Sequence, residues 1–244
     1  IEEAVGRGLS RYPHPMADPF RRRAAEVLGI EPDWILCGNG SDDLLTIVTR
    51  AFVGQGQLIR LPYPSYVLYK TLARIQGARS EEIHFEPDWS LPDSFAAAAD
   101  GLRLAFLPNP NSPTGTVVAA ERILEIADRL PCPLVVDEAY ADFADANCLD
   151  LVRRNEKILV MRTMSKSYSL AGIRFGYLVA QPQMIRQLAK VKDSYNCDAV
   201  AIAAATAAIG DREWLRENRA KIIATRRKLT DRMRELGFVT TESQ

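Results

Sequence analysis

Short runs of β-branched and other apolar residues alternate along the 244-residue chain with longer stretches whose apolar positions recur every three or four residues. The short runs, at 34–37, 58–61, 82–85, 102–107, 134–137, 157–162 and 175–179, are predicted to be strands, most of them apolar on both faces. Between them the spacing predicts helices over 19–28, 41–52, 66–76, 119–130, 182–190 and 198–209, several opened by Ser, Asp or Pro. A long, charged helix is expected over 212–236. Strands joined by crossover helices make a layered α/β domain, and seven of them suit one large sheet. No Gly-, Pro- or Ser-rich linker and no repeat divides the chain, so residues 1–244 are read as one domain.

Charge and cysteine content narrow the function classes. The 31 basic residues balance 31 acidic ones, so no global field draws the chain to nucleic acid or an anionic membrane, and any anion site must be local. Cys37, Cys132, Cys148 and Cys197 lack the paired spacing of a zinc site or a disulfide framework. No metal is therefore expected, and a reducing cytoplasm is the expected home. The first residues lack the apolar core of a signal peptide, and no apolar stretch is long enough to span a bilayer.

Five motifs carry chemistry. In residues 162–168, Arg-Thr-Met-Ser-Lys-Ser-Tyr, an apolar strand runs into hydroxyl residues and one lysine. A free lysine, with a pKa of about 10.4, is a poor nucleophile at neutral pH, but burial or a neighbouring cation makes it a Schiff-base former. Lys166 suits that role, with Thr163, Ser165 and Arg174 as donors for a phosphate. In residues 134–140, Leu-Val-Val-Asp-Glu-Ala-Tyr, a buried strand ends in an acid where open α/β sheets bind ligands. Asp137 is the candidate partner for a pyridinium nitrogen, with a helix cap or magnesium ligand as the bland alternatives. Tyr140 is a candidate donor to a phenolic oxygen on such a ring, or else an amphipathic anchor. Residues 37–43, Cys-Gly-Asn-Gly-Ser-Asp-Asp, form a glycine-punctuated turn that aims amides at an anion. Residues 62–66, Pro-Tyr-Pro-Ser-Tyr, present Tyr66 for stacking on a flat ring or for plain core packing. Residues 108–115, Pro-Asn-Pro-Asn-Ser-Pro-Thr-Gly, are too proline-rich for helix or central strand, and one of the X-Pro bonds is a candidate cis bond.

In this order the five motifs resemble the fold-type I aminotransferases, most closely the histidinol-phosphate aminotransferase branch. That resemblance implies a three-layer α/β/α large domain with a mostly parallel seven-stranded sheet, pyridoxal 5'-phosphate as cofactor, and exchange of an amino group between a small-molecule donor and a 2-oxo acid. It implies Lys166 as the Schiff-base lysine, Ser165 and Arg174 at the phosphate, Asp137 and Tyr140 at the ring, and roles for Gly40, Ser41, Asp42 and Tyr66 around it. Arg11-Tyr12-Pro13 matches the family's Arg-Tyr-Pro, which implies a homodimer with Tyr12 reaching the partner's site. The chain departs from the family in carrying Ser112 directly before Pro113, where Asn is usual, with Asn111 one residue earlier; either is the candidate for the ring oxygen. By the same resemblance an amino-terminal arm and a carboxy-terminal small domain, with the arginine for the substrate's carboxylate, are expected outside residues 1–244. A related decarboxylase of a phosphorylated amino acid, an aromatic amino-acid aminotransferase and a non-catalytic cofactor-binding regulator are the competing readings.

Overall fold

In the computed structural model, which describes residues 1–6 and 8–244, seven strands form one sheet. They are β1 (Ile35–Gly38), β2 (Leu58–Tyr63), β3 (Arg79–His84), β4 (Leu102–Pro108), β5 (Leu134–Asp137), β6 (Ile158–Thr163) and β7 (Gly176–Val179). Their order is β1-β7-β6-β5-β4-β2-β3. The pairs among β2 to β6 are parallel, whereas β7 runs antiparallel to both β6 and β1. Each predicted strand is present. β3 begins three residues earlier than its apolar pattern suggests, because it pairs only with β2 and, as an edge strand, keeps Arg79 and Ser80 in water.

The described helices are α1 (Glu2–Gly6), α2 (Asp18–Leu28), α3 (Ser41–Phe52), α4 (Leu68–Ile75), α5 (Ala120–Arg129), α6 (Leu151–Arg154), α7 (Pro182–Leu188), α8 (Ala199–Gly210) and α9 (Arg212–Glu235). α1 and α6 were not expected, being too short to show a helical period. Alternation along the strands sorts side chains onto two cores. Ile35, Cys37, Leu134, Val136, Ile158 and Val160 face the cluster that holds Phe20 and Ala24 of α2, Ile123 and Ile126 of α5, and Ala201 and Ala205 of α8. Leu36, Val135, Leu159, Met161 and Leu178 face the one that holds Leu44 and Val48 of α3, Tyr69 and Leu72 of α4, and Ile185 of α7. Helices therefore cover both faces, the three-layer architecture expected. Among the described residues no helix is long and apolar enough to cross a membrane.

The reversal of β7 decides where chemistry can happen. The register sets Gly38 and Thr163 opposite Gly176, Met161 opposite Asp137, and Asp137 opposite Pro108. The carboxyl ends of β1, β2, β4, β5 and β6 and the amino end of β7 therefore share one sheet edge, and all five sequence motifs emerge there.

Candidate functional site

That edge opens into a cavity of about 280 Å³. Of the residues singled out from sequence, Ser41, Asp42, Tyr66, Ser112, Asp137, Tyr140, Thr163, Ser165, Lys166 and Arg174 line it. Neighbouring strands lie ~4.8 Å apart, so the floor from the end of β5 to the end of β1 spans roughly 14 Å of backbone.

At the β5 end the strand buries Asp137. Its Oδ2 accepts the Tyr69 hydroxyl at 2.9 Å and its Oδ1 the Ala139 amide at 3.1 Å. Among the described residues no cation pairs with it, and burial raises its pKa to about 6 against the opposing pull of those two hydrogen bonds. An acid so placed favours a proton-bearing ligand group. The neighbouring Glu138 turns away: its fully buried carboxylate accepts Arg162 Nε at 2.9 Å and Nη2 at 2.7 Å, and the Cys148 amide. Arg162 also lies 3.7 Å from Asp142, which accepts the Ser167 hydroxyl. This network ties the end of β5 to the loop that carries Lys166.

Lys166 projects into the cavity, and its Nζ stands 5.3 Å from the centroid of the Tyr140 ring. Among the described residues no carboxylate pairs with its ammonium. The Thr163 hydroxyl accepts the Ser165 amide at 3.1 Å and donates to Ser165 Oγ at 3.0 Å, so one hydroxyl orients the other.

At the β1 end, Gly40 precedes α3, whose first turn includes Ser41 and Asp42. Gly40 has φ 85°, and a Cβ there would lie 2.6 Å from Arg174 Nη2. Gly176 is tighter still: a Cβ would meet the Ser41 amide nitrogen at 2.6 Å and the Arg162 carbonyl oxygen at 2.9 Å. Only glycine lets β7 start against the α3 turn and so bring Arg174 beside Ser41. Arg174 adopts the left-handed conformation and approaches Asp42 Oδ2 at 3.6 Å, while Asp42 Oδ1 accepts the Tyr66 hydroxyl at 3.3 Å. The amides of a helix start, the hydroxyls of Ser41 and Ser165 and the Arg174 guanidinium are groups that can bind an anion, and all line this cavity.

The proline-rich loop separates two residues that the sequence left open. Asn111 is buried behind the cavity wall, its Nδ2 donating to the Pro64 carbonyl at 3.1 Å and to Thr114 Oγ1 at 2.8 Å, whereas Ser112 faces the cavity. Asn109-Pro110, Ser112-Pro113 and Tyr63-Pro64 are cis. Tyr12 does not line the cavity of its own chain; it is 80% exposed and stacks on Tyr195 at 4.4 Å between centroids. Sequence reasoning missed Tyr69, which lies buried in the first turn of α4 with nothing in its local sequence to mark its hydroxyl.

The chain is similar to known proteins in sequence and in fold. The family model described as aminotransferase class I and II matches residues 1–244. A histidinol-phosphate aminotransferase of Rhodopirellula baltica is 59% identical over 244 residues, covering 100% of this chain and 67% of the relative. One of Geotalea daltonii is 46% identical over 239 residues, or 98% of this chain and 68% of the relative. Among solved structures, histidinol-phosphate aminotransferase from Sinorhizobium meliloti in complex with pyridoxal-5'-phosphate superposes with a TM-score of 0.88 at 26% identity, over 99% of this chain and 67% of that one.

Proposed function

The chain belongs to the class I and II aminotransferases, and on that premise we propose that its cavity holds pyridoxal phosphate and that the enzyme exchanges an amino group between histidinol phosphate and 2-oxoglutarate. The observation that carries the cofactor reading is the polarity of the cavity. A buried carboxylate with no described cation beside it lies at the β5 end, an anion cup of Ser41, Ser165 and Arg174 lies towards β1, and Lys166 projects into the same space. A flat ring with a basic nitrogen at one side and a phosphate at the other matches that order of groups. The substrate reading rests on the similarity to the histidinol-phosphate aminotransferases of Rhodopirellula baltica and Geotalea daltonii.

Bound there, pyridoxal phosphate supplies an electron sink that stabilises negative charge at a substrate's α-carbon. The chain's own groups do the rest. Asp137 would hold the proton on the ring nitrogen, and Ser165, Arg174 and the amides of Ser41 and Asp42 would hold the phosphate. Tyr66 would pack against the ring, and Tyr140 and the loop residue Ser112 would donate to the ring oxygen. Lys166, which projects into the same space, would move a proton to and from the substrate's α-carbon. Tyr12, with its exposed ring, reaches the partner's cavity in a homodimer.

The test is to add pyridoxal phosphate to the purified full-length protein, reduce with borohydride, and find the modified peptide by mass. A pyridoxyl group on Lys166 is expected, together with glutamate formation from histidinol phosphate and 2-oxoglutarate. An adduct elsewhere sinks the site. Carbon dioxide release that needs no oxo acid sinks the reaction.

A further inference from the structure

Tyr69 is wholly buried, yet it carries a hydroxyl, and a buried hydroxyl must be hydrogen-bonded to be tolerated. The single hydrogen bond described for that hydroxyl goes to Asp137 Oδ2, at 2.9 Å. The ring is held from two sides: Phe106 of β4 lies flat against it, with centroids 4.6 Å apart and planes 9° apart, and Tyr66 meets it edge-on at 5.7 Å. Tyr69 belongs to α4 and Asp137 to β5, so the bond also joins a covering helix to the floor of the cavity.

We infer that Tyr69 is a positioning residue for the cofactor's ring nitrogen, acting through Asp137: its stacked ring aims a hydroxyl that fixes the rotation of the carboxylate and keeps it ionised. The inference rests on the reading of the cavity as a pyridoxal phosphate site. Asp137 has one donor on each oxygen, the Tyr69 hydroxyl on Oδ2 and the Ala139 amide on Oδ1. The amide alone leaves the carboxylate free to swing about its last bond, whereas two donors on two oxygens define its plane. A hydrogen bond to a charged acceptor favours the charged form. Without it, the carboxylate would sit neutral over more of the pH range and offer less to a protonated ring nitrogen.

The experiment compares two cofactors on the purified full-length protein, pyridoxal phosphate and its analogue with carbon in place of the ring nitrogen. Tyr69→Phe removes one buried oxygen and keeps the stack. It is expected to raise the Kd for pyridoxal phosphate about tenfold, the size of a hydrogen bond to a charged group, and to leave the Kd for the carbon analogue unchanged within about twofold. Phe106→Leu, which keeps the hydroxyl but removes the ring beneath it, is expected to give the same selectivity at about threefold. In an Asp137→Asn background Tyr69→Phe should no longer distinguish the two cofactors. Equal weakening of both cofactors by Tyr69→Phe would make Tyr69 a packing residue only and overturn the inference, as would no weakening of either. Failure of the underlying reading looks different: wild-type protein would then hold both cofactors equally, or yield no adduct on Lys166.

Discussion

Glu138→Gln tests the buried network that joins the ends of β5 and β6. The substitution keeps size and shape, so it opens no cavity, but it removes the charge from a carboxylate that is fully buried and accepts two hydrogen bonds from Arg162 and one from the Cys148 amide. The Arg162 guanidinium, 11% exposed, is left with Asp142 at 3.7 Å as its nearest carboxylate. An amide cannot accept both Arg162 bonds and the Cys148 bond with one oxygen, and its own N–H group points at donors. Breaking a buried ion pair from one side costs about 3–5 kcal/mol, a large share of the ~5–15 kcal/mol that holds a domain folded. Urea titration followed by fluorescence is the assay, with a fall in the midpoint and an unchanged slope as the expected result. Glu138→Gln combined with Arg162→Met, which removes the stranded cation, should recover most of the loss. A cost under about 1 kcal/mol for the single variant would refute the reasoning, because it would mean that Asp142 or solvent already satisfies Arg162.

Three further outcomes are expected. Asp137, raised to about 6 by burial, binds a proton more readily folded than unfolded, so its contribution to stability is fully present below about pH 4 and is lost as pH rises through 6. Asp137→Asn should therefore stabilise the cofactor-free protein by up to about 3 kcal/mol above pH 6 and not at all below pH 4, measured as melting temperature against pH; a gain that does not vary with pH would be wrong for this cause. Gly176→Ala forces a Cβ within 2.6 Å of the Ser41 amide nitrogen, and calorimetry should show a loss of roughly 1–3 kcal/mol together with weaker phosphate binding; intact stability and binding would show that the turn can yield. Asn111→Ala should lower stability by about 1–2 kcal/mol with Ser112→Ala near neutral, while pyridoxal phosphate affinity should respond to Ser112→Ala; the reverse pattern would assign the ring oxygen to Asn111.

The strands were legible because a strand buried on both faces has nearly nothing but apolar residues, and Leu134, Val135 and Val136 leave no other reading. Legibility failed at the margins of that rule. β3 is an edge strand whose Arg79, Ser80 and Glu81 carry no apolar signal, and α6 spans one turn. At the site, Lys166 and Arg174 stood out through the residues around them, hydroxyls and a second cation beside the lysine, and Asp137 because it ends an apolar strand. Tyr69 and Arg162 did not, since nothing local distinguishes a tyrosine on a helix face from a core aromatic, or a strand arginine from a surface one. Their roles depend on Asp137 and Glu138, which lie 68 and 24 residues away and meet them only when the sheet assembles.

The reversed course of β7 has a thermodynamic consequence. Residues 164–175 leave the sheet at Thr163 and return at Gly176, which face each other in the ladder, and the Met164 amide closes the ring by donating to the Phe175 carbonyl at 3.0 Å. Lys166 and Arg174 thus ride a segment tethered at both ends to the same two strands. Its loop-closure entropy is lost once, when the sheet folds, and not again when a ligand arrives. Two side chains on an open loop would have to be ordered at each binding event, at the expense of affinity; here Lys166 and Arg174 are spaced before anything binds.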